Sequence, residues 1–186
     1  YFCAMSVKQR TLSQPVHLMG VGLHTGAVVN LHLCPAPENH GYQFQRIDLE
    51  GQPLIPADCQ LVTTTQRGTT LELNGAKVHT TEHVLAALYG SEVDNVLIQI
   101  DGPEMPIMDG SSEPFVEIIE KAGVEEQDAA KIWYTIDTNI SFYDEKKRVE
   151  MTALPATNYE ITTLIDFNST VLGTQHASLK NMSEFK

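Results

Sequence analysis

Two histidines and a glutamate stand close together in the segment "HTTEH", residues 79 to 83. A carboxylate beside an imidazole could serve a hydrolase in which a histidine binds a metal ion and the carboxylate acts as general base. The spacing also matches the inverted zinc-peptidase motif H-x-x-E-H, in which both histidines bind zinc. A catalytic zinc needs about three protein ligands, and this segment offers one or two.

The helix that must position these residues is predicted to begin inside the segment. Thr80 or Thr81 can cap it, and Glu82 suits the positive end of the helix dipole. Such a cap leaves His79 before the helix, which opposes the two-histidine motif. His83 alone is compatible with a metal ligand and with an ordinary surface or capping histidine. The apolar stripe of this helix is Val84, Leu85 and Leu88, and Gly90 ends it.

Two further segments are rich in glycine or proline. "GVGLHTG", residues 20 to 26, lacks the spacing of a dinucleotide fingerprint or a P-loop and predicts a hairpin turn. "DGPEMPIMDGSSEPF", residues 101 to 115, leads into a second helix, whose N-terminus could receive an anion. Neither loop by itself demands catalysis.

The periodicity of the remaining sequence predicts an α+β fold with strands and two helices. In "VVNLHL", apolar residues alternate with polar ones, as in a half-buried strand. Residues 51 to 78 form a Thr-rich β insert, in which Asn74-Gly75 signals a hairpin. Further strands are predicted at "GYQFQRID" and "NVLIQI". The second helix is capped by Ser112, has Pro114 in its first turn, ends at Gly123, and buries Phe115, Ile118, Ile119 and Ala122.

The second half of the chain begins with an acidic stretch, residues 124 to 131, that is expected to be a linker. Strands are predicted at 132–136, 148–154 and 159–165. "EKKR", residues 145 to 148, predicts a solvated hairpin turn or a phosphate-contacting loop. "VVNLHLCPAP" and "RVEMTALPAT" echo one another, which is compatible with a tandem repeat. The expected domains are 5–127 and an incomplete, strand-only second copy at 128–186.

Composition excludes several classes of function. The net charge of -12 argues against a nucleic-acid partner, and no apolar run approaches the roughly 20 residues of a membrane span. Three cysteines without CxxC spacing, Cys3, Cys34 and Cys59, argue against a disulfide framework and favour a cytoplasmic location. "YFCA" resembles a cloning remnant, so Met5 is the expected native start.

Several segments together resemble one enzyme family. "KQRTL", "GVGLHTG", "TTEHVLAAL", "VDNVLIQIDGPEMPIMDGSSEPF" and "IDF" resemble, in order and spacing, the UDP-3-O-acyl-N-acetylglucosamine deacetylases, over residues 7 to about 167. That family is the zinc-dependent deacetylase of lipid A biosynthesis. The resemblance implies two similar domains, each a β-sheet on two helices, and is compatible with the front part of a fusion to a β-hydroxyacyl-ACP dehydratase.

The resemblance also implies roles for individual residues. Glu82 takes the place of the general base and His83 that of the first ligand of Zn²⁺, whereas His79 is not a ligand. Asp166 and Phe167 match a pair at the nucleotide end of the UDP-linked acylated glucosamine substrate. Lys147 falls near a lysine that approaches the substrate phosphates.

The family's remaining zinc ligands, a His and an Asp in an H-K-x-x-x-D helix, have no counterpart in this sequence. The chain alone is therefore expected to lack activity and to self-associate through strands without covering helices. Two alternatives remain open. One is a non-catalytic α+β binding module in which the Glu82-His83 pair is incidental; the other is a self-sufficient metallohydrolase using His79, Glu82 and His83.

Overall fold

The computed structural model describes residues 7–185. The expected start at Met5, like Cys3, lies outside these residues. Two compact units make up the chain, Tyr1–Lys131 and Ile132–Lys186, and each is considered by itself. The first contains β1 (Lys8–Leu12), β2 (Val16–Val21), β3 (Val28–Pro35), β4 (Tyr42–Arg46), β5 (Leu54–Pro56), β6 (Val62–Thr64), β7 (Thr70–Leu73), β8 (Ala76–Val78), α1 (Glu82–Gly90), β9 (Val96–Ile100), α2 (Glu113–Ala122) and β10 (Val124–Ala130). The second contains β11 (Ile140–Asp144), β12 (Val149–Ala153), β13 (Ile161–Asp166) and β14 (Thr174–Leu179).

The main sheet of the first unit has the strand order β2-β3-β9-β4-β5. Its strands pair antiparallel except β4 and β9, which run parallel. The alternation predicted for the "VVNLHL" strand is confirmed, because Val29, Leu31 and Leu33 are fully buried while the residues between them reach the other face. One face of the sheet therefore forms the core.

The two helices complete that core. α2 packs against α1 and against β2. The predicted apolar faces are confirmed: Val84 and Leu88 of α1 are buried, as are Phe115, Ile118, Ile119 and Ala122 of α2. Leu85 is only half-buried. The α+β prediction is thus correct, and the first unit is a sheet covered by two helices.

The predicted caps occupy the right positions without the expected hydrogen bonds. Thr81 and Ser112 precede α1 and α2, but each has helical backbone angles, and neither side chain caps its helix. Extended angles are typical of a side-chain cap, which explains the difference. The Thr81 hydroxyl instead donates to the carbonyl oxygen of Thr69. Gly123, with φ of 73°, ends α2 as predicted.

The Thr-rich insert contains the three-stranded sheet β6-β7-β8. Asn74 and Gly75 have φ of 51° and 84° between β7 and β8, so the predicted hairpin is confirmed, with the two positive φ angles that a type I′ turn requires. β5 differs from the rest of the insert, because it pairs with β4 at the edge of the main sheet.

The linker predicted at residues 124–131 is wrong, because this stretch forms β10 and pairs antiparallel with β1. A half-buried polar side chain anchors the strand: Gln127 accepts a 2.7 Å hydrogen bond from Asn95 Nδ2 and donates a 2.9 Å bond to the carbonyl oxygen of Ala36. Because the side-chain amide of Gln127 holds β10 in place, the strand needs few apolar residues. The acidic composition of residues 124–131 therefore does not predict a strand.

The second unit consists of the hairpins β11–β12 and β13–β14 and a short 3-10 helix at Met182–Glu184. The strands predicted at 148–154 and 159–165 are confirmed, and residues 145–148 form the predicted hairpin turn. The strand predicted at 132–136 is wrong, because the structure shows no regular element there. "IWYTI" has the composition of a strand, but β-propensity reflects packing against neighbours more than an intrinsic backbone preference. Among residues 7–185, no helix is long and apolar enough to cross a membrane.

Candidate functional site

The segment "HTTEH" is divided by the start of α1. Glu82 is the first helical residue, and His79 lies three residues before it in an extended segment. The His79 amide donates to the carbonyl oxygen of Pro103, and its Nδ1 is 2.9 Å from the hydroxyl of Thr70. Burial lowers the pKa of His79, and the opposing effect of the Glu104 carboxylate only partly offsets it. His79 and His83 therefore do not form the two-histidine motif of a single helix.

The Glu82 carboxylate is oriented by the backbone of the preceding hairpin. The amide of Thr69 donates to Glu82 Oε2 at 2.9 Å. Gly68, next to Thr69, has φ of 148°, which side chains rarely adopt, and a Cβ atom there would lie 3.2 Å from the hydroxyl of Thr80. One bond fixes the carboxylate but leaves further lone pairs to accept a proton. This arrangement suits a general base.

His83 follows Glu82 in the first turn of α1, and both side chains are half-buried. Consecutive helical side chains point about 100° apart, so the Glu82 and His83 side chains leave the start of α1 in different directions. Asp109 lies close enough for the His83 imidazole to influence its titration. Hydrogen bonds from the amide and hydroxyl of Ser111, followed by the smaller effect of His83, hold the pKa of Asp109 below its usual value.

The most buried acidic group near α1 is Glu104, whose exposed fraction is 0%. Its carboxylate accepts hydrogen bonds from the amide of His24 at 3.0 and 3.1 Å, the amide of Thr25 at 2.8 Å and the hydroxyl of Thr80 at 3.1 Å. Burial raises the pKa of Glu104, but these hydrogen bonds outweigh burial and lower it below its usual value. Glu104 is therefore a buried, ionised anchor.

Glu104 connects the "GVGLHTG" turn to the residues just before α1. Thr80 has φ of 58°, a left-handed conformation that is unusual for a β-branched residue and is held by the bond to Glu104. On the other side, His24 Nε2 lies 2.7 Å from the carbonyl oxygen of Arg67, in the same loop as Gly68. Hydrogen bonds thus link Glu104 and the "GVGLHTG" turn to the loop before Thr69, whose amide donates to Glu82.

Glycines allow the two predicted loops to touch. A Cβ atom on Gly22 would lie 2.6 Å from Glu104 Oε2, and one on Gly20 would lie 2.7 Å from the Sδ atom of Met108. The amide of Ile107 donates to the carbonyl oxygen of Val21 at 3.0 Å. The hairpin turn predicted for "GVGLHTG" is confirmed. The sequence does not predict its contact with residues 101–115, although three glycines in seven residues are the signal for such a close approach.

The three residues expected to bind substrate lie in the second unit. Lys147 is exposed in the turn between β11 and β12, where its amide donates to Asp144 Oδ1 at 3.0 Å. Asp166 is the last residue of β13, and its Oδ1 accepts from the amide of Asn168 at 2.9 Å. Phe167 follows, with 43% of its surface exposed. Asp166 and Phe167 are thus adjacent, and Lys147 is on the other hairpin.

The residues described do not by themselves complete a metal site. Within 7–185, no group of three His, Cys, Asp or Glu side chains is arranged to hold a metal ion. His83 fits the part of one ligand, because its imidazole is half-buried at a helix start with Glu82 as its chain neighbour. A catalytic metal at His83 would need ligands from elsewhere.

Comparison with known proteins gives this geometry a context. The family model for the UDP-3-O-acyl N-acetylglycosamine deacetylase, LpxC, matches residues 9–186. The bifunctional enzyme LpxC/FabZ of Bacteroides thetaiotaomicron is 48% identical over 97% of the chain and 39% of its own length. UDP-3-O-acyl-N-acetylglucosamine deacetylases of Myxococcus xanthus and Thermosynechococcus vestitus are 45% and 44% identical over 94% of the chain, and over 55% and 60% of their own lengths.

The chain thus spans about two fifths to three fifths of the length of these relatives. The match to the family model nevertheless covers almost the whole sequence, including Glu82, His83 and both loops that surround them. Together these matches show that the chain belongs to the UDP-3-O-acyl N-acetylglycosamine deacetylase family.

Proposed function

We propose that this chain is part of a zinc-dependent amidase that removes the N-acetyl group of a UDP-3-O-acyl-N-acetylglucosamine, a step of lipid A biosynthesis in the cytoplasm. The observation that carries the proposal is the oriented carboxylate of Glu82 beside the imidazole of His83 at the start of α1. Family membership supports the substrate class.

In this proposal His83 is one zinc ligand, and the others come from residues outside the described part of the chain. A bound zinc ion supplies Lewis acidity toward the amide carbonyl and lowers the pKa of water. Glu82 accepts a proton from the attacking water and returns it to the leaving amine, while the bond from Thr69 keeps its carboxylate in place. Glu104 holds the surrounding backbone fixed.

The proposed substrate contacts are in the second unit. Lys147 is exposed in a hairpin turn and offers an ammonium group to the diphosphate of the UDP moiety. Phe167 presents an exposed aromatic face, and Asp166 beside it a carboxylate, to the nucleoside. Their adjacency at the end of β13 supports a shared role at the nucleotide end of the substrate.

The 186-residue chain by itself is proposed to be inactive, since a catalytic zinc needs about three protein ligands and His83 is one. A non-catalytic binding module is the rival reading. The His79 version of a self-sufficient hydrolase is not favoured, because His79 lies outside α1 and bonds with Thr70.

A direct test measures acetate release from the UDP-linked substrate by a longer protein that contains this chain, with its Glu82→Gln variant as the matched control. We expect turnover by the parent, a large loss in the variant, and none from the 186 residues alone. Equal turnover by parent and variant would refute the role of Glu82, and no turnover by a folded, zinc-loaded parent would favour the binding module.

A further inference from the structure

A pair of histidines lies on the outer face of the main sheet, opposite the core. His17 of β2 is directly opposite His32 of β3 in the antiparallel register. Their ring centroids are 4.7 Å apart, and the ring planes are tilted by 38°. The neighbours Leu31 and Leu33 point to the buried face, so His32 points away from the helices. This pair is not part of the site around Glu82.

The tautomer of His17 is set by a hydrogen-bonded chain behind it. His17 Nε2 is 3.1 Å from Asn30 Oδ1, and Asn30 Nδ2 donates to Asp101 Oδ2 at 2.7 Å. A second bond, from the Asn30 amide to Asp101 Oδ1 at 2.6 Å, fixes the same residue. Because the amide oxygen of Asn30 can only accept, the neutral His17 ring carries its proton on Nε2 and keeps the Nδ1 lone pair free.

In most metal-binding histidines, the ring nitrogen that does not bind the metal donates a hydrogen bond to an oxygen atom held in place by the protein. The Asp101–Asn30–His17 chain therefore prepares His17 as a ligand through Nδ1. An ordinary stacked surface pair would need no such chain. His32 supplies a second imidazole from the neighbouring strand, at contact distance from the first.

We propose that His17 and His32 bind one divalent transition-metal ion of the class that prefers imidazole, such as Zn²⁺, Ni²⁺ or Cu²⁺. Metal–nitrogen bonds of roughly 2.0–2.1 Å place two ligand nitrogens about 3 Å apart. Rings already in contact reach this geometry by small side-chain rotations, which the exposed position of His17 allows. Water completes the coordination, consistent with no three-ligand group among residues 7–185.

Cys34 also lies on this face, two residues after His32, whereas both Asp101 oxygens already accept from Asn30. Its thiol points to Gln99 Oε1 at 3.7 Å, and burial raises its pKa. Because Gln99 is on β9, this contact directs the thiol to the side of β3 away from β2, which carries His17. The site is therefore one of two imidazoles, and Cys34→Ser should leave it intact.

The test is a Zn²⁺ titration of the whole chain, followed residue by residue through the imidazole resonances in NMR spectra. We expect saturable shifts of His17 and His32 at one ion per site, separate from any change at His83. His17→Asn and His32→Asn should each weaken this binding at least tenfold. Asn30→Ala should weaken it roughly 10- to 100-fold, as the loss of a partner behind a ligand does.

His176→Asn, in β14, and Cys34→Ser are the matched controls and should leave the titration unchanged. Because His17 is exposed, its substitution tests the site even if His32→Asn does not fold; backbone amide spectra establish folding. Zinc that shifts other residues but not His17 and His32, or an affinity that survives His17→Asn, overturns the proposal. An affinity lost with Cys34→Ser would overturn it too, in favour of thiol binding.

Discussion

Thr80, two residues before Glu82, donates a 3.1 Å hydrogen bond from its hydroxyl to Glu104 Oε1. Through this bond, a fully buried carboxylate holds the left-handed backbone from which α1 begins. The same carboxylate accepts hydrogen bonds from the backbone amides of His24 and Thr25. The position of the proposed base thus depends on a buried residue outside the Glu82-His83 pair, and this dependence can be tested.

Glu104→Gln should destabilise the first unit by about 1–3 kcal/mol or more. The glutamine side chain cannot accept hydrogen bonds from all three donors that Glu104 serves, and its NH₂ group would face some of these donors. Urea unfolding at neutral pH measures the change. Glu125→Gln, an exposed glutamate of β10, is the matched control and should change the free energy of unfolding by less than about 0.5 kcal/mol. Equal stability of the two variants would show that Glu104 is not an anchor.

The same residue predicts part of the pH dependence of stability. The folded-state pKa of Glu104 lies below the ordinary 4.5, so its contribution is fully present above pH 4.5. It is lost as the pH falls through the lower, folded-state pKa. Glu104→Gln should therefore lose less stability than the parent between neutral pH and about pH 3. Parallel stability curves for the two proteins would contradict this.

Gly22→Ala should disturb the contact between the Glu104 carboxylate and the "GVGLHTG" turn from the side of the turn. The added Cβ atom would meet Thr25 Oγ1 at 2.5 Å and Glu104 Oε2 at 2.6 Å. Crowding of this kind costs about 1–3 kcal/mol. The comparison is Glu104→Gln with and without Gly22→Ala: because both changes damage one contact, the double variant should be less destabilised than the sum of the singles. Strict additivity would place the two effects at separate sites.

The second unit is predicted to self-associate. Phe142 and Met151 are cross-strand neighbours on β11 and β12, with 60% and 67% of their surfaces exposed. Exposed apolar strands recruit partners. Phe142→Lys or Met151→Lys should reduce the weight-average mass in sedimentation at high concentration, whereas Thr152→Lys, on the same strand, should not. A parent chain that stays monomeric at these concentrations would disprove the expectation.

Sequence patterns predict the elements of the first unit well where one face is apolar. The alternation of Val29, Leu31 and Leu33 and the spacing of Phe115, Ile118 and Ile119 both report burial directly. β10 is missed because an amide network, not apolar burial, holds it. In the second unit the first strand is misplaced: β11 is absent from the prediction although it pairs with β12 across a short turn, and residues 132–136 are wrongly included. Composition alone does not show whether a segment packs against a neighbouring strand.

The site is predictable only in part for the same reason. Glu82 and His83 stand out by their types and their place at a helix start. Glu104 does not, because a glutamate between prolines in a loop has no signal of its burial, which is set by contacts with residues about 80 positions away. The neighbourhood of Asp109 and His83 likewise depends on the tertiary fold.

The central claim is that Glu82 is the base and His83 a metal ligand, and zinc content measured beside kcat tests it most directly. The comparison uses the longer protein and its Glu82→Ala, His83→Ala and His79→Ala variants. Glu82→Ala should retain zinc while kcat falls roughly 10²- to 10⁴-fold, as for a lost general base. His83→Ala should lose zinc, and His79→Ala should keep both zinc and kcat. Loss of zinc from His79→Ala as complete as from His83→Ala would contradict the account and restore the two-histidine motif.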